Sequence, residues 1–63
     1  MIACEIGDII KFKNPSTKEI FTGVVRKTHN SGIILDVYVP EIHYHKMDTC
    51  RVNFVDVIKI LTM

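Results

Sequence analysis

The chain has 63 residues, a formal net charge of +1 and an apolar share of 48%. This length allows one domain, which we predict over residues 1–63, with a core that supplies only about 3–5 kcal/mol of net stability. The apolar share argues against a disordered chain, and the near-balanced charge argues against a strongly basic nucleic-acid-binding domain.

Residues 1–8 contain no basic stretch followed by an apolar run, so we expect no secretory signal. No apolar run approaches the roughly 20 residues that span a bilayer, so we expect no membrane contact. The expected location is the cytoplasm, where thiols stay reduced. Cys4 and Cys50 are therefore predicted to be small apolar core residues rather than the two halves of a disulfide.

The first predicted strand covers residues 8–13. Ile10 and Phe12 lie on its core face, because successive side chains of a strand point to opposite sides. Residues 14–19 break this strand, since Pro15 has no backbone donor and its neighbours favour turns. We therefore expect a loop between the first two strands.

Residues 20–29 form the second predicted strand, and Gly23 in its interior indicates a bulge or a sharp bend. A tight hairpin at residues 29–32 follows, with a left-handed Gly32 closing a type I turn. Residues 33–39 are almost entirely β-branched, aromatic or otherwise apolar, which predicts the third strand.

The second half of the chain has weaker signals. Residues 41–49 are predicted to be irregular, or a short extension of the third strand followed by a turn. Residues 50–54 alternate again as a fourth strand. The alternation then fails, which a single helical turn at residues 55–57 explains, and residues 58–61 form a short last strand.

This order of elements predicts an all-β fold, a small five-stranded SH3-like barrel with one 3₁₀ turn before the last strand. Closing the sheet is expected to hide the edges that an open five-stranded sheet would expose. The predicted core consists of apolar residues from all five strands: Ile10, Phe12, Val25, Ile33, Leu35, Val37, Val52, Phe54 and Ile60.

Two short segments carry a resemblance to known families: Gly-Asp-Ile-Ile-Lys-Phe at residues 7–12 and Thr-Gly-Val-Val at residues 22–25. They resemble a family of short uncharacterised proteins of Gram-positive bacteria and their phages, defined only as a domain of unknown function. They are also loosely similar to KOW-type SH3-like modules of ribosomal and transcription-elongation proteins, which contact RNA and protein. These resemblances imply the fold but assign no activity.

His43 and His45 have the one spacing typical of metal ligands, because residues i and i+2 of an extended segment point the same way. Zinc needs a third ligand, for which Glu41, Cys50 or Cys4 are the candidates. Two exposed histidines near a loop are the alternative, so we expect no metal and no cofactor. A barrel of this size offers little room for an enclosed site with oriented donors, so we expect no enzyme.

Cations and tyrosines supply the candidate ligand-binding residues. The cations are concentrated in the first hairpin. The tyrosines are the candidate exposed aromatic rings, because Phe12 and Phe54 are assigned to the core. The predicted partner- or ligand-binding residues are Lys11, Lys13, Lys18, Arg26, Lys27, Tyr38 and Tyr44. The alternative is that these lysines keep the strand edges soluble.

The third strand is apolar on both faces, with Ile34 and Tyr38 opposite the core face. A small barrel buries one face of each strand in its own core, so these two residues are predicted to form an oligomer interface with Val24, Val55 or Leu61. The alternative is that the C-terminal segment or the loop at residues 41–49 folds over them.

Three functions follow as expectations. The first is a non-enzymatic binding module that contacts a protein, or weakly a nucleic acid, through the loop at residues 14–19 and the basic first hairpin. The second is a homo-oligomeric, phage-type accessory protein that sequesters a small anionic ligand such as a nucleotide at subunit interfaces. The third is a domain stapled by a metal at His43 and His45.

Overall fold

The computed structural model describes residues 4–62 and consists of five antiparallel strands. The strands are β1 (Ile9–Lys13), β2 (Ile20–His29), β3 (Ile34–Tyr38), β4 (Cys50–Asn53) and β5 (Val57–Ile60). Two short 3₁₀ segments connect them, Asn30–Gly32 between β2 and β3 and Phe54–Asp56 between β4 and β5. The predicted turn before the last strand is confirmed, one residue earlier than the alternation indicated.

The strands form one sheet in the order β4-β3-β2-β1-β5. Four consecutive strands make a meander, and the last strand returns to pair with β1. This is the strand order of an SH3-like barrel, so the predicted fold class is confirmed. Among residues 4–62 the sheet has two unpaired edges, the outer sides of β4 and of β5.

The core lies inside the curled sheet. Six of the predicted core residues are buried, and Phe54 and Ile60 are half-buried and pack against them. The buried residues are Cys4, Ile10, Phe12, Val25, Leu35, Val37, Val39 and Val52. Cys4 is therefore a core residue as predicted, whereas Cys50 is half-buried at the core's margin.

Ile33 was predicted in the core, and this prediction is wrong, since the residue is 61% exposed. It precedes β3 in a helical backbone conformation (φ −72°, ψ −33°), and its N–H donates to the carbonyl of Asn30 at 3.2 Å. The turn therefore extends one residue further than the apolar run indicated, and the alternation of β3 begins only at Ile34.

The hairpin between β2 and β3 is left-handed at three successive residues: Asn30 (φ 50°), Ser31 (φ 57°) and Gly32 (φ 92°). The left-handed glycine is confirmed, but a type I turn before it is not, because a type I turn needs negative φ at both central residues. Positive φ on the central residues matches the right-handed twist of the flanking strands, which explains the geometry observed.

Gly23 was predicted to mark a bulge or a bend. The irregularity in β2 lies instead between Val25 and Lys27, while Gly23 stays in register opposite Ile10. A Cβ at Gly23 would lie 2.5 Å from Val37 Cγ1 and 2.6 Å from the carbonyl oxygen of Tyr38. The glycine is therefore required by the close approach of β2 to β3.

Candidate functional site

A groove of about 260 Å³ opens between the end of β1 and the free side of β4. Its floor is apolar, formed by Phe12 and Val52, which are otherwise buried in the core, with the half-buried Cys50 beside them. Its rim is polar and carries Lys13 and Arg51. The remaining lining residues are Asn14, Pro15, Asn53 and Asp56.

The loop at residues 14–19 sets one end of this groove. Asn14 Oδ1 accepts hydrogen bonds from the N–H groups of Ser16 (2.9 Å) and Thr17 (3.3 Å). The Asn14 carbonyl accepts from Lys18 N–H, and Asn14 N–H donates to the Glu19 carbonyl, both at 2.8 Å. This asparagine-based turn fixes the chain where it leaves β1 and places Pro15 against the groove.

Three polar side chains, one each from β2, β3 and β4, meet on the outer face of the sheet. Asp36 Oδ2 lies 2.9 Å from His29 Nε2, and Asp36 Oδ1 accepts from Arg51 Nε at 3.3 Å. The hydrogen bond to His29 lowers the pKa of Asp36, burial opposes this, and Arg51 adds to the lowering. Both ion pairs found between residues 4 and 62 therefore converge on this one carboxylate.

The Asp36 network predicts a pH dependence of stability. A carboxyl whose folded pKa is lowered contributes stability above its ordinary pKa of about 3.9, and that contribution is lost as the pH falls through the folded value. We expect Asp36→Asn to cost up to about 1 kcal/mol at pH 7, in line with a partly exposed hydrogen-bonded pair. Urea unfolding at pH 7 and at pH 2.5 measures this; a cost that is equal at the two pH values would contradict it.

Burial raises the pKa of both thiols, and the charges of Asp8 near Cys4 and of Asp36 near Cys50 raise it further. A raised pKa leaves less thiolate at neutral pH, and the thiolate is the reactive form. Cys50 is nevertheless accessible from the groove, so it can report on occupancy of the groove.

The predicted binding cations fall into separate groups. Lys11 and Lys13 lie on the exposed face of β1, and Lys18 lies in the neighbouring loop with a positive φ of 67°. Lys59, which is not among the predicted binding cations, stands directly opposite Lys11 across the β1–β5 pairing. In the sequence, Lys59 alternates with Ile58 and Ile60 in a short strand, and this pattern was the signal that could have placed Lys59 on the polar face of that strand.

Arg26 and Lys27 lie on the strand next to that of Lys11, but further along it than Thr22, the partner of Lys11, and in the irregular part of β2. The Arg26 guanidinium carbon lies 5.6 Å from the centre of the Tyr38 ring, and the His43 ring stacks on Tyr38 with centroids 5.9 Å apart. Arg26 also lines a recess of about 250 Å³ with Lys46 and Met47. The structure thus groups Arg26 with Tyr38 but not with the cations of β1.

Tyr44, the other predicted ring, is fully exposed and lines a shallow depression with Pro40, Glu41, Ile42 and His43. It belongs to the loop between β3 and β4, as do the exposed Ile42 and Met47. The two predicted tyrosines therefore lie on neighbouring but different surfaces.

The predicted interface residues Ile34 and Tyr38 are half-buried on the outer face of β3, with Asp36 between them. Strand register aligns Tyr38 with Val24 and Ile9, and the N–H of the exposed Leu61 donates to Ile9 at 2.7 Å. These residues form an apolar row across the outer face. Val55 lies elsewhere, 88% exposed on the 3₁₀ turn, and Ile34 is outside the row.

His43 and His45 do not lie on an extended segment, because the chain turns at residues 40–42 and again at residues 45–48. His43 Nδ1 accepts a hydrogen bond from Val39 N–H at 2.8 Å, and His45 is exposed. Within residues 4–62 no three His, Cys, Asp or Glu side chains are grouped so that they could hold a metal ion. The geometry on which the metal hypothesis depended is absent.

In the same described part of the chain, no helix is long and apolar enough to cross a membrane.

Searches found no match to this chain among protein-family models, curated proteins or solved structures. The two resemblances drawn from residues 7–12 and 22–25 stay predictions.

Proposed function

We propose that this domain is a non-enzymatic binding module that holds a segment of a partner protein in the groove between β1 and β4. The observation that carries the proposal is the apolar floor of that groove, where Phe12 and Val52 line an opening of about 260 Å³. This volume is below the 300–1,000 Å³ typical of pockets that enclose a whole small molecule. It suits one or two apolar side chains of a peptide.

Three further observations bear on the proposed role and on the location of the protein. Burial raises the pKa of Cys50, the thiol that lines the groove, which opposes the formation of a reactive thiolate there. Both cysteines are unpaired thiols, which favours the cytoplasm as the location. The predicted loop at residues 14–19 borders the groove through Asn14 and Pro15, so the site retains part of the surface expected from the sequence.

Selection of a displayed heptapeptide library, followed by chemical-shift mapping on ¹⁵N-labelled protein, tests the proposal. We expect the largest shifts at residues 12–15 and 50–53, and slower alkylation of Cys50 when peptide is bound. Lys13→Glu reverses a charge on the rim of the groove and should change the affinity for the selected peptide by about threefold or more. Lys46→Glu makes the same change in charge outside the groove and serves as the matched control.

If the library yields no enriched peptide, or if the chemical shifts of residues 12–15 and 50–53 do not change on binding, the groove is not the binding site. Equal effects of Lys13→Glu and Lys46→Glu would indicate a response to total charge. That result would also count against a site in the groove.

A second candidate function is capture of a phosphate-bearing ligand, such as a nucleotide or a single-stranded nucleic acid, on the outer face. Arg26 beside the Tyr38 ring favours it, since a guanidinium binds phosphate and an aromatic ring stacks on a base. The homo-oligomeric form would use the apolar row of Tyr38, Val24, Ile9 and Leu61 as its subunit boundary. Two titrations, one with adenosine monophosphate and one with octathymidylate, each at two salt concentrations, separate these versions from the groove proposal. The mass of the protein in solution, measured on the same sample, tests the homo-oligomeric form.

A further inference from the structure

β4 is an edge strand whose free side borders the groove. Phe54 N–H donates to the carbonyl of Ile33 at 2.8 Å, which identifies the pair 33/54 as hydrogen-bonded. Bonded pairs alternate along an antiparallel ladder, so the even-numbered residues of β4 bond to β3. The backbone N–H and C=O groups of Arg51 and Asn53 therefore point away from β3 and along the groove.

The two free edges of the sheet differ in how well they are protected. β5 has a register irregularity opposite β1 and carries Lys59, and both features discourage the addition of another strand. β4 pairs with β3 without interruption over four residues and contains neither lysine nor proline. The edge beside the groove is thus the one that is open to another strand.

The charges around this edge favour an acidic partner. Lys13 and Arg51 stand on the rim, and the one carboxylate among the lining residues is Asp56. Arg51 bonds to Asp36 through Nε alone while its side chain is 63% exposed, and a guanidinium has further donors to offer. Lys11 and Lys59 add positive charge on the neighbouring β1–β5 pair.

We propose that the partner segment is an extended acidic peptide that joins the sheet as a sixth strand on the free edge of β4. This inference rests on the proposed function and specifies how the groove is used. The peptide backbone bonds to Arg51 and Asn53, one apolar side chain enters over Phe12 and Val52, and its carboxylates face Lys13 and the free donors of Arg51. Backbone pairing supplies affinity in such complexes, and the side-chain pocket supplies specificity.

The test compares Asn53→Pro with Asn53→Ala. Asn53 has φ −82° and ψ 139°, near the range that proline adopts, and its N–H makes no bond to β3. Asn53→Pro therefore removes the outward donor and places a ring on the edge, whereas Asn53→Ala removes only the side chain. The probe is a heptapeptide of alternating glutamate and valine, with a lysine and valine peptide as its counterpart.

We expect Asn53→Pro to weaken binding of the glutamate peptide by about tenfold or more, and Asn53→Ala by less than about threefold. The lysine peptide should bind at least about tenfold more weakly than the glutamate peptide. In the unmodified protein, hydrogen exchange of the Arg51 and Asn53 amides should slow when the peptide binds. This readout stands even if Asn53→Pro does not fold.

Equal affinities of the two Asn53 variants, with unchanged amide exchange, would overturn strand addition. If Lys13→Glu still weakened binding in that case, the groove would stand as the site and only the sixth strand would fail. If neither peptide bound and the display library also yielded nothing, the proposed function itself would fail. Preference for the lysine peptide would overturn the acidic assignment.

Discussion

Gly23→Ala is expected to unfold most of the protein at room temperature. The new Cβ would lie 2.5 Å from Val37 Cγ1, 2.6 Å from the carbonyl oxygen of Tyr38 and 3.1 Å from Val39 Cγ2. The carbonyl belongs to the strand paired with β2, so it cannot move without breaking the sheet. Overpacking a core costs about 1–3 kcal/mol, and a clash with backbone costs more, against a total of about 3–5 kcal/mol for a domain of this size.

Gly7→Ala is the matched control for this substitution. Gly7 has φ +97°, which alanine adopts only with strain, but a Cβ there would meet no atom within 4 Å. We expect a loss of about 1–2 kcal/mol, the cost of a left-handed residue with a side chain. Far-ultraviolet circular dichroism with urea measures both variants. If Gly23→Ala were no less stable than Gly7→Ala, β2 and β3 would lie further apart than the structure places them.

Most of the fold was predictable because its signals are local. Alternation of apolar residues marks the core face of each strand, as at Ile10 and Phe12 in β1 and at Leu35 and Val37 in β3. The failure of alternation after Phe54 predicted the 3₁₀ turn before β5, one residue later than the structure has it. The position of the irregularity in β2 was not predictable, because it depends on the register against β3. Gly23 is instead needed where β2 approaches β3 closely, and no local pattern reveals such a contact.

The candidate site was only partly predictable. Exposure of Lys11 and Lys13 follows from the alternation of β1, and a turn at Asn14 follows from residue type. The groove is different, because it joins residues 12–15 to residues 50–53, which meet only when the sheet curls. Its open backbone edge depends on which residues of β4 bond to β3, and that parity is a property of the register rather than of the side chains.

His43 shows how residue type can mislead when the backbone is unknown. Its spacing from His45 is that of a ligand pair only on an extended segment, and the chain turns there. Its ring accepts the N–H of Val39 and stacks on Tyr38, so it closes the start of the loop after β3. His43 therefore satisfies the backbone donor of Val39 instead of facing His45 as a second metal ligand.

Leu35→Ala and Ile33→Ala are expected to differ sharply in stability, although both residues were predicted in the core. Leu35 is fully buried, so its truncation should cost about 2–5 kcal/mol and leave little folded protein. Ile33 is 61% exposed on the turn before β3, and its truncation should cost less than about 0.5 kcal/mol. Leu35→Met, at under about 1.5 kcal/mol, keeps the comparison measurable by urea unfolding if Leu35→Ala does not fold.

In a regular strand these two residues would lie on the same face, because they are two positions apart. Equal losses would therefore mean that β3 begins at residue 33 and that the left-handed turn is shorter than observed. A large loss at Leu35 alone supports the turn that ends with the Ile33 N–H bonded to Asn30.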